Sequence, residues 1–209
     1  MSWGALAGWA GAALGAGTTI VQVVRVRGRG TEGVNATTWA LFLSMSGFWF
    51  AYGLAVRSPE IVTSTVVAAP FLCWLLALLG PAARRRALVP AVAPVLGVAF
   101  LPALAFGWSA GVLGLGVLIV ATRLPQLVQL VRHRHAIGVS VGSWLLGASS
   151  VALWLVYYVA SARVAAAITM CLALGANLGI AVLAAVRHRQ AETARVVRAP
   201  LGIPTLSRV

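Results

Sequence analysis

Apolar residues fall in seven stretches along this chain, at residues 3–24, 36–56, 61–80, 87–106, 109–131, 139–160 and 164–186. Each is about 20 residues long and ends at a turn signal or an arginine cluster. A helix of that length crosses a hydrocarbon layer roughly 30 Å thick. Inside lipid only a helix or a closed barrel satisfies every backbone N–H and C=O, and runs this long and continuous predict helices rather than alternating strands. The pattern therefore predicts an all-α polytopic membrane protein with seven transmembrane helices.

Composition sharpens this. The chain has 209 residues, 61% of them hydrophobic and only 9% charged, with a mean hydropathy of +0.96. A formal charge of +13 would point to nucleic acid in a water-soluble protein. Here the arginines cluster between apolar runs, and no nucleic-acid partner is expected. Thirteen of the sixteen arginines follow the first, third, fifth and seventh runs: Arg25, Arg27 and Arg29; Arg84, Arg85 and Arg86; Arg132 and Arg134; and the Arg-bearing tail from Arg187. The opposite connections carry only Arg57 and Arg163, and the turn at Gly107-Trp108 carries none. The positive-inside rule puts the basic side in the cytoplasm, with the N-terminus outside and the C-terminus inside. No charge precedes Arg25, so the first run reads as a retained helix rather than a cleaved signal. The absence of Lys and the wealth of Ala match a GC-rich bacterial coding bias, and with it a bacterial plasma membrane.

The chain also repeats. A shift of 105 residues makes 12 of the 33 positions from Val23 to Ala55 identical to their partners. Apolar bias explains matched Val and Leu. It does not explain Arg27/Arg132, Arg29/Arg134, Gly33/Gly138, Trp39/Trp144, Trp49/Trp154 and Tyr52/Tyr157 in one register. Each copy spans three runs, an odd number, yet both basic turns fall on one side. The fourth run, with Pro90, Pro94 and Pro102 and no counterpart, restores the direction. The predicted organisation is 3+1+3: a first triple-helix repeat at 1–80, a linker helix at 81–108, a second parallel repeat at 109–186, and a basic cytoplasmic tail at 187–209.

Several residues carry the chemistry of a resemblance. The second copy has Pro125-Gln126, Arg132, Gly138-Val139-Ser140, Trp144 and Trp154-x-x-Tyr157; the first has Arg27, Gly33-Val34-Asn35, Trp39 and Trp49-x-x-Tyr52. In this order, twice, around a linker helix, the chain resembles the PQ-loop superfamily and, within it, the SWEET and SemiSWEET sugar facilitators. That resemblance implies a carrier with a pocket near the midplane between parallel repeats. The chain departs from the pattern in three places. The first copy has Val21-Gln22 or Ile20-Val21 where the proline belongs. Thr65 and Met170 stand where sugar-carrying members have Asn. The second and sixth runs hold no proline.

Each candidate has two readings. Pro125 removes a backbone donor, so it marks either a hinge for the cytoplasmic half of its helix or a passive kink. Gln126 beside it can satisfy the freed carbonyl or bond a neighbouring helix. Trp49 and Trp154 are paired by the repeat, and an indole face stacks on a sugar ring while its N–H bonds a hydroxyl; they are taken as the pocket walls rather than packing residues. Trp39 and Trp144 read as interfacial anchors, as does Trp108 on the other side. Asn177 is a candidate polar group of the pocket, with an interhelical hydrogen bond as the bland alternative; Thr65 and Thr169 are weaker candidates of the same kind. Arg123 is the one charge within a run and either lines the pathway or snorkels. Glu32 and Glu60 are assigned to turns, so no carboxylate relay is visible. His133 and His135 share a basic turn and read as a surface. Cys73 and Cys171 read as small buried side chains.

No catalytic constellation appears, there is no Asp at all, and neither a cofactor nor a metal site is expected. The reading is a facilitative, uniporter-like carrier for a small neutral polar solute, sugar first. The alternatives are an amino-acid or organic-anion PQ-loop transporter, suggested by Arg123, and a non-transporting membrane receptor or assembly factor. Expected partners are the solute and a bilayer with anionic headgroups at the cytoplasmic face. A homo-oligomer is compatible with the sequence, although two repeats can enclose a pocket within one chain.

Overall fold

The computed structural model describes residues 2–31, 34–132 and 141–198. Among them all regular structure is helical: α1 (Trp3–Arg29), α2 (Ala36–Ala55), α3 (Pro59–Leu78), α4 (Pro81–Val95), a π-helical turn (Leu96–Phe100), α5 (Leu101–Phe106), α6 (Trp108–Ala121), α7 (Leu124–Arg132), α8 (Val141–Ala160) and α9 (Val164–Arg198). Local sequence sets several of the starts. Ser2 caps α1 by accepting from the Ala5 N–H at 3.2 Å. Asn35 caps α2 by accepting from Thr37 and Thr38 at 2.8 and 3.3 Å. Ser58 caps α3, with Pro59 in the first turn where its missing N–H costs nothing.

Five helices are long and apolar enough to cross a membrane: α1, α3, the rod from α4 through α5, α8 and α9. Two of the seven expected runs fall short of that standard. Thr37, Thr38, Ser44, Ser46, Trp39, Trp49 and Tyr52 lower the hydropathy of α2. The fifth run is interrupted at Thr122-Arg123, which separates the shorter α6 from α7. The cause is Pro125. It has no N–H to return to the Ala121 carbonyl, so α6 closes before it, and α7 restarts with the proline in its first turn. The interruption therefore lies just upstream of Pro125-Gln126 rather than on it. The side chains of Pro125 and Gln126, and His133 and His135, lie outside the described residues.

Other expectations need correction. Arg25 and Arg27 lie on α1, Arg84 to Arg86 on α4, and Arg187 to Arg198 on α9, so these basic groups extend helices instead of forming turns or a separate tail. Glu60 is not in a turn; it sits in the first turn of α3 and is buried. Cys73 and Cys171 are exposed, because their helix faces turn away from the bundle, where an apolar thiol meets an apolar surround.

The 105-residue period reappears in three dimensions. The helices begin at Trp3, Ala36 and Pro59 in the first copy and at Trp108, Val141 and Val164 in the second. The turn after α2 and the turn after α8 match bond for bond. Arg57 and Ala162 adopt φ of 52° and 53°, a left-handed conformation that side chains rarely take. Ser58 N–H bonds the Gly53 carbonyl as Arg163 N–H bonds that of Tyr158, each at 2.9 Å. These are paired Schellman closures.

Packing joins the copies into a ring. α1 packs on α3 and α8, α3 on α2, α2 on α4, the rod on α6, α6 on α9, and α9 on α8. Small residues allow two of these approaches. On α1, Gly4 and Gly8 face Ala160 and Tyr157 of α8; a β-carbon on Gly8 would lie 2.8 Å from the Tyr157 ring. On α6, Gly114 faces the Val98 carbonyl so closely that any β-carbon would collide with it. That carbonyl lacks an α-helical donor because residue 102 is proline, which connects the prolines of the rod to the glycines of α6. A core forms around Phe48, Val112, Leu115 and Ala99. Trp108 joins it, 5.8 Å from the Phe48 ring, and so is a packing residue rather than a free-standing anchor. Lipid is as apolar as this core, so shape and dispersion hold it more than exclusion of water does.

Candidate functional site

Between the two copies lies a cavity of about 240 Å³. Trp49 from α2, Thr65 from α3 and Trp154 from α8 all line it, with Ser46, Ser64 and Met170. Among the described residues no charged side chain lines it. Three of the four sequence-predicted binding residues thus meet at one hollow. The Thr65 hydroxyl donates to carbonyls of its own helix, at 2.8 Å to Val62 and 3.2 Å to Ile61. A hydroxyl has two acceptor lone pairs, so its oxygen can still accept from a ligand.

The two tryptophans do not face each other across empty space. Tyr158 packs nearly parallel to both of them. Its ring lies 5.9 Å from Trp49 at 20° and 5.7 Å from Trp154 at 25°. Offset stacking of this kind suits aromatic quadrupoles. The repeat alone hides this feature, because the first-copy counterpart of Tyr158 is Gly53, with no ring to match.

Asn177 is elsewhere. It is 2% exposed, and its Oδ1 accepts from Arg123 Nε at 2.7 Å. Arg123 Nη1 also donates to the Ile119 carbonyl at 2.7 Å. Neither residue lines the cavity. Both of these acceptors are neutral, and the Ile119 carbonyl belongs to the last full turn before the helix interruption. Thr169 is likewise consumed, donating to the Val112 carbonyl at 3.0 Å. The counterpart of Asn177 in the first copy, Leu72, does line the cavity.

A second polar cluster joins the copies at the turns that follow α2 and α8. Tyr157 Oη lies 2.6 Å from Ser58 Oγ and 3.2 Å from Glu60 Oε2, and Ser58 Oγ lies 3.0 Å from the same carboxylate oxygen. Arg163 Nη1 donates to Tyr157 Oη at 2.8 Å, and its Nη2 donates to the Val56 carbonyl at 3.3 Å. Two hydroxyl protons serve these contacts. Whichever hydroxyl gives its proton to the other, the remaining one bonds the carboxylate. Charge of opposite sign enters at the two ends, guanidinium and carboxylate, with neutral hydroxyls between. Sequence reasoning missed this cluster. The signal was available: Glu60 is the only acidic residue beside a run on the arginine-poor side, and Arg163 is the one basic residue beyond Tyr157 there.

No protein-family model matches the chain, and neither a curated protein nor a solved structure matches it.

Proposed function

We propose that this protein is a facilitative membrane carrier, similar to the SWEET group of the PQ-loop superfamily, that moves a small neutral polar solute by alternating access. In this reading α6 and α7 together make one span, α2 another, and the chain crosses a bacterial plasma membrane seven times as 3+1+3. The N-terminus lies outside and the C-terminus in the cytoplasm. The carrying observation is the uncharged cavity between the copies, walled by Trp49 and Trp154 and edged by the hydroxyls of Ser46, Ser64 and Thr65. Hydroxyl-bearing and aromatic side chains in one lining suit a solute with both polar and apolar faces, and a sugar is the first candidate.

Alternating access needs one end to open while the other closes. The Ser58–Glu60–Tyr157–Arg163 cluster ties the copies together at the arginine-poor end. In the carrier it acts as the outer closure, and opening that side separates Tyr157 from Ser58 and Glu60. At the other end, the break at Thr122-Arg123 before Pro125 supplies the flexible joint.

A second reading, an amino-acid or organic-anion carrier, is favoured by one observation: the Arg123 guanidinium binds only neutral acceptors among its described hydrogen bonds. Its position outside the cavity weighs against a direct role. The deciding experiment is uptake by purified protein in liposomes, with labelled glucose, an amino acid and a dicarboxylate in parallel. The neutral reading expects glucose entry, changed less than three-fold by Arg123→Gln. Entry of the anion alone, lost in Arg123→Gln, would replace it with the second reading. No flux of any solute would favour a receptor or assembly factor.

A further inference from the structure

We infer that Tyr158 sets the size limit of the cavity, holding it to a compact neutral solute no larger than one monosaccharide ring. The inference rests on the carrier reading above. Three observations carry it.

The first is the stack itself. Tyr158 is only 3% exposed and lies nearly parallel to both tryptophans. It packs against both Trp49 and Trp154 in the lining of the same cavity. The ring therefore fills space beside both tryptophans that a larger solute would need. The second is the asymmetry of the repeat. At the equivalent place in the first copy stands Gly53, whose absent side chain leaves room for Ile61 and Val62 of α3. The backbone closure after the two positions is the same, since the Gly53 and Tyr158 carbonyls accept matching bonds. The ring is thus an addition to one copy and not a requirement of the turn.

The third is what lies behind the ring. Tyr158 also lines a second hollow of about 390 Å³, on the α8–α9 side with Leu155, Ile168 and Leu172. That second space is an outward-facing groove, and Tyr158 is a lining residue of both. The cavity's volume of about 240 Å³ is on the scale of one monosaccharide ring. Removing the ring would enlarge the cavity beside Trp49 and Trp154. The polar edge of Ser46, Ser64 and Thr65 would be untouched.

The test is a size ladder of erythritol, xylose, glucose and sucrose, followed as labelled uptake into liposomes holding the full chain. Wild-type protein should carry the smaller members and pass sucrose at least ten-fold more slowly than glucose. Tyr158→Gly should raise the sucrose-to-glucose ratio about ten-fold or more, while Tyr158→Phe, which keeps the ring, should leave it within two-fold. An unchanged ratio in Tyr158→Gly, or an equal rise in Tyr158→Phe, overturns the inference. Should Tyr158→Gly not fold, Tyr158→Leu keeps apolar bulk without a flat face and should give an intermediate ratio; a wild-type ratio there also overturns it. If wild-type protein carries no member and none of them changes its tryptophan fluorescence, the carrier reading itself fails and takes this inference with it.

Discussion

The two copies share their helix starts and the turn before the third helix, but they divide the labour of the cavity. The first supplies hydroxyls: Ser46, Ser64 and Thr65. At the same three positions the second has Val151, Thr169 and Met170, of which Thr169 is turned to α6 and Met170 gives only sulfur and methylene. The second copy instead supplies bulk, through Trp154 and Tyr158. Their first helices differ as well. α1 carries Gly8 against Tyr157, where the equivalent residue of α6 is Leu113, which is exposed. Repeated sequence therefore fixes repeated backbone, while departures from the repeat assign the faces. The α1 face that meets the other copy must be small, and the matching α6 face need not be, because the α4–α5 rod takes up the contact on that side.

That division can be broken at several points. The largest effect is expected at Gly8. Gly8→Leu drives a side chain into the Tyr157 ring and the Glu60 stem, and overpacking of this kind costs about 3 kcal/mol; loss of the folded peak in detergent gel filtration is the readout. Leu113→Ala, at the matching exposed site, should leave that peak intact. Equal damage at both sites would refute the asymmetric packing.

Tyr157→Phe comes next. It deletes the hydroxyl shared by Ser58, Glu60 and Arg163, and loss of a hydrogen bond to a charged group costs roughly 2 kcal/mol. The melting temperature in detergent should fall by several degrees. If the cluster also closes the outer end, a cysteine placed at Gly53 should label faster with an impermeant thiol reagent in this variant. The two native thiols, Cys73 and Cys171, are exposed and must first be replaced by serine.

Thr65 and Thr169 separate function from packing. Thr65→Val removes a cavity hydroxyl, and the net worth of such a bond is about 1 kcal/mol; the half-saturating solute concentration should rise roughly five-fold with little change in melting temperature. Thr169→Val should do the reverse, since its hydroxyl is spent on the Val112 carbonyl. The smallest effect is at Ala162, whose φ of 53° is left-handed. Ala162→Gly relieves a conformation that costs a side chain about 1 kcal/mol, partly offset by the greater freedom of the unfolded chain. A melting temperature raised by a degree or two is expected.

Much of this was legible in the sequence. Trp49 and Trp154 were singled out by the repeat and Thr65 by the resemblance, and they meet at one cavity. The interruption before Pro125 followed from a missing N–H. Asn177 was different: it keeps the helical phase of Met170, seven residues away, but Arg123 captures its side chain. Phase along a helix tells which way a residue points, not which neighbour reaches it first. The Glu60 cluster escaped notice because its members are about 100 residues apart and each, taken singly, resembles an ordinary residue at a helix end. Tyr158 escaped because a search for matched pairs overlooks a residue whose partner is glycine.

The sequence by itself determined that the chain is helical, that most of its helices suit lipid, and that three of them recur at 105 residues. Those properties follow from hydropathy, turn chemistry and periodicity, which are local and need no knowledge of neighbours. Only the tertiary structure decided which faces meet. It put the ring of Tyr158 beside two tryptophans, brought Glu60 to Tyr157, and removed Asn177 from the cavity. Contacts between distant segments depend on which helices lie side by side and how closely, and a few glycines on α1 and α6 set that distance.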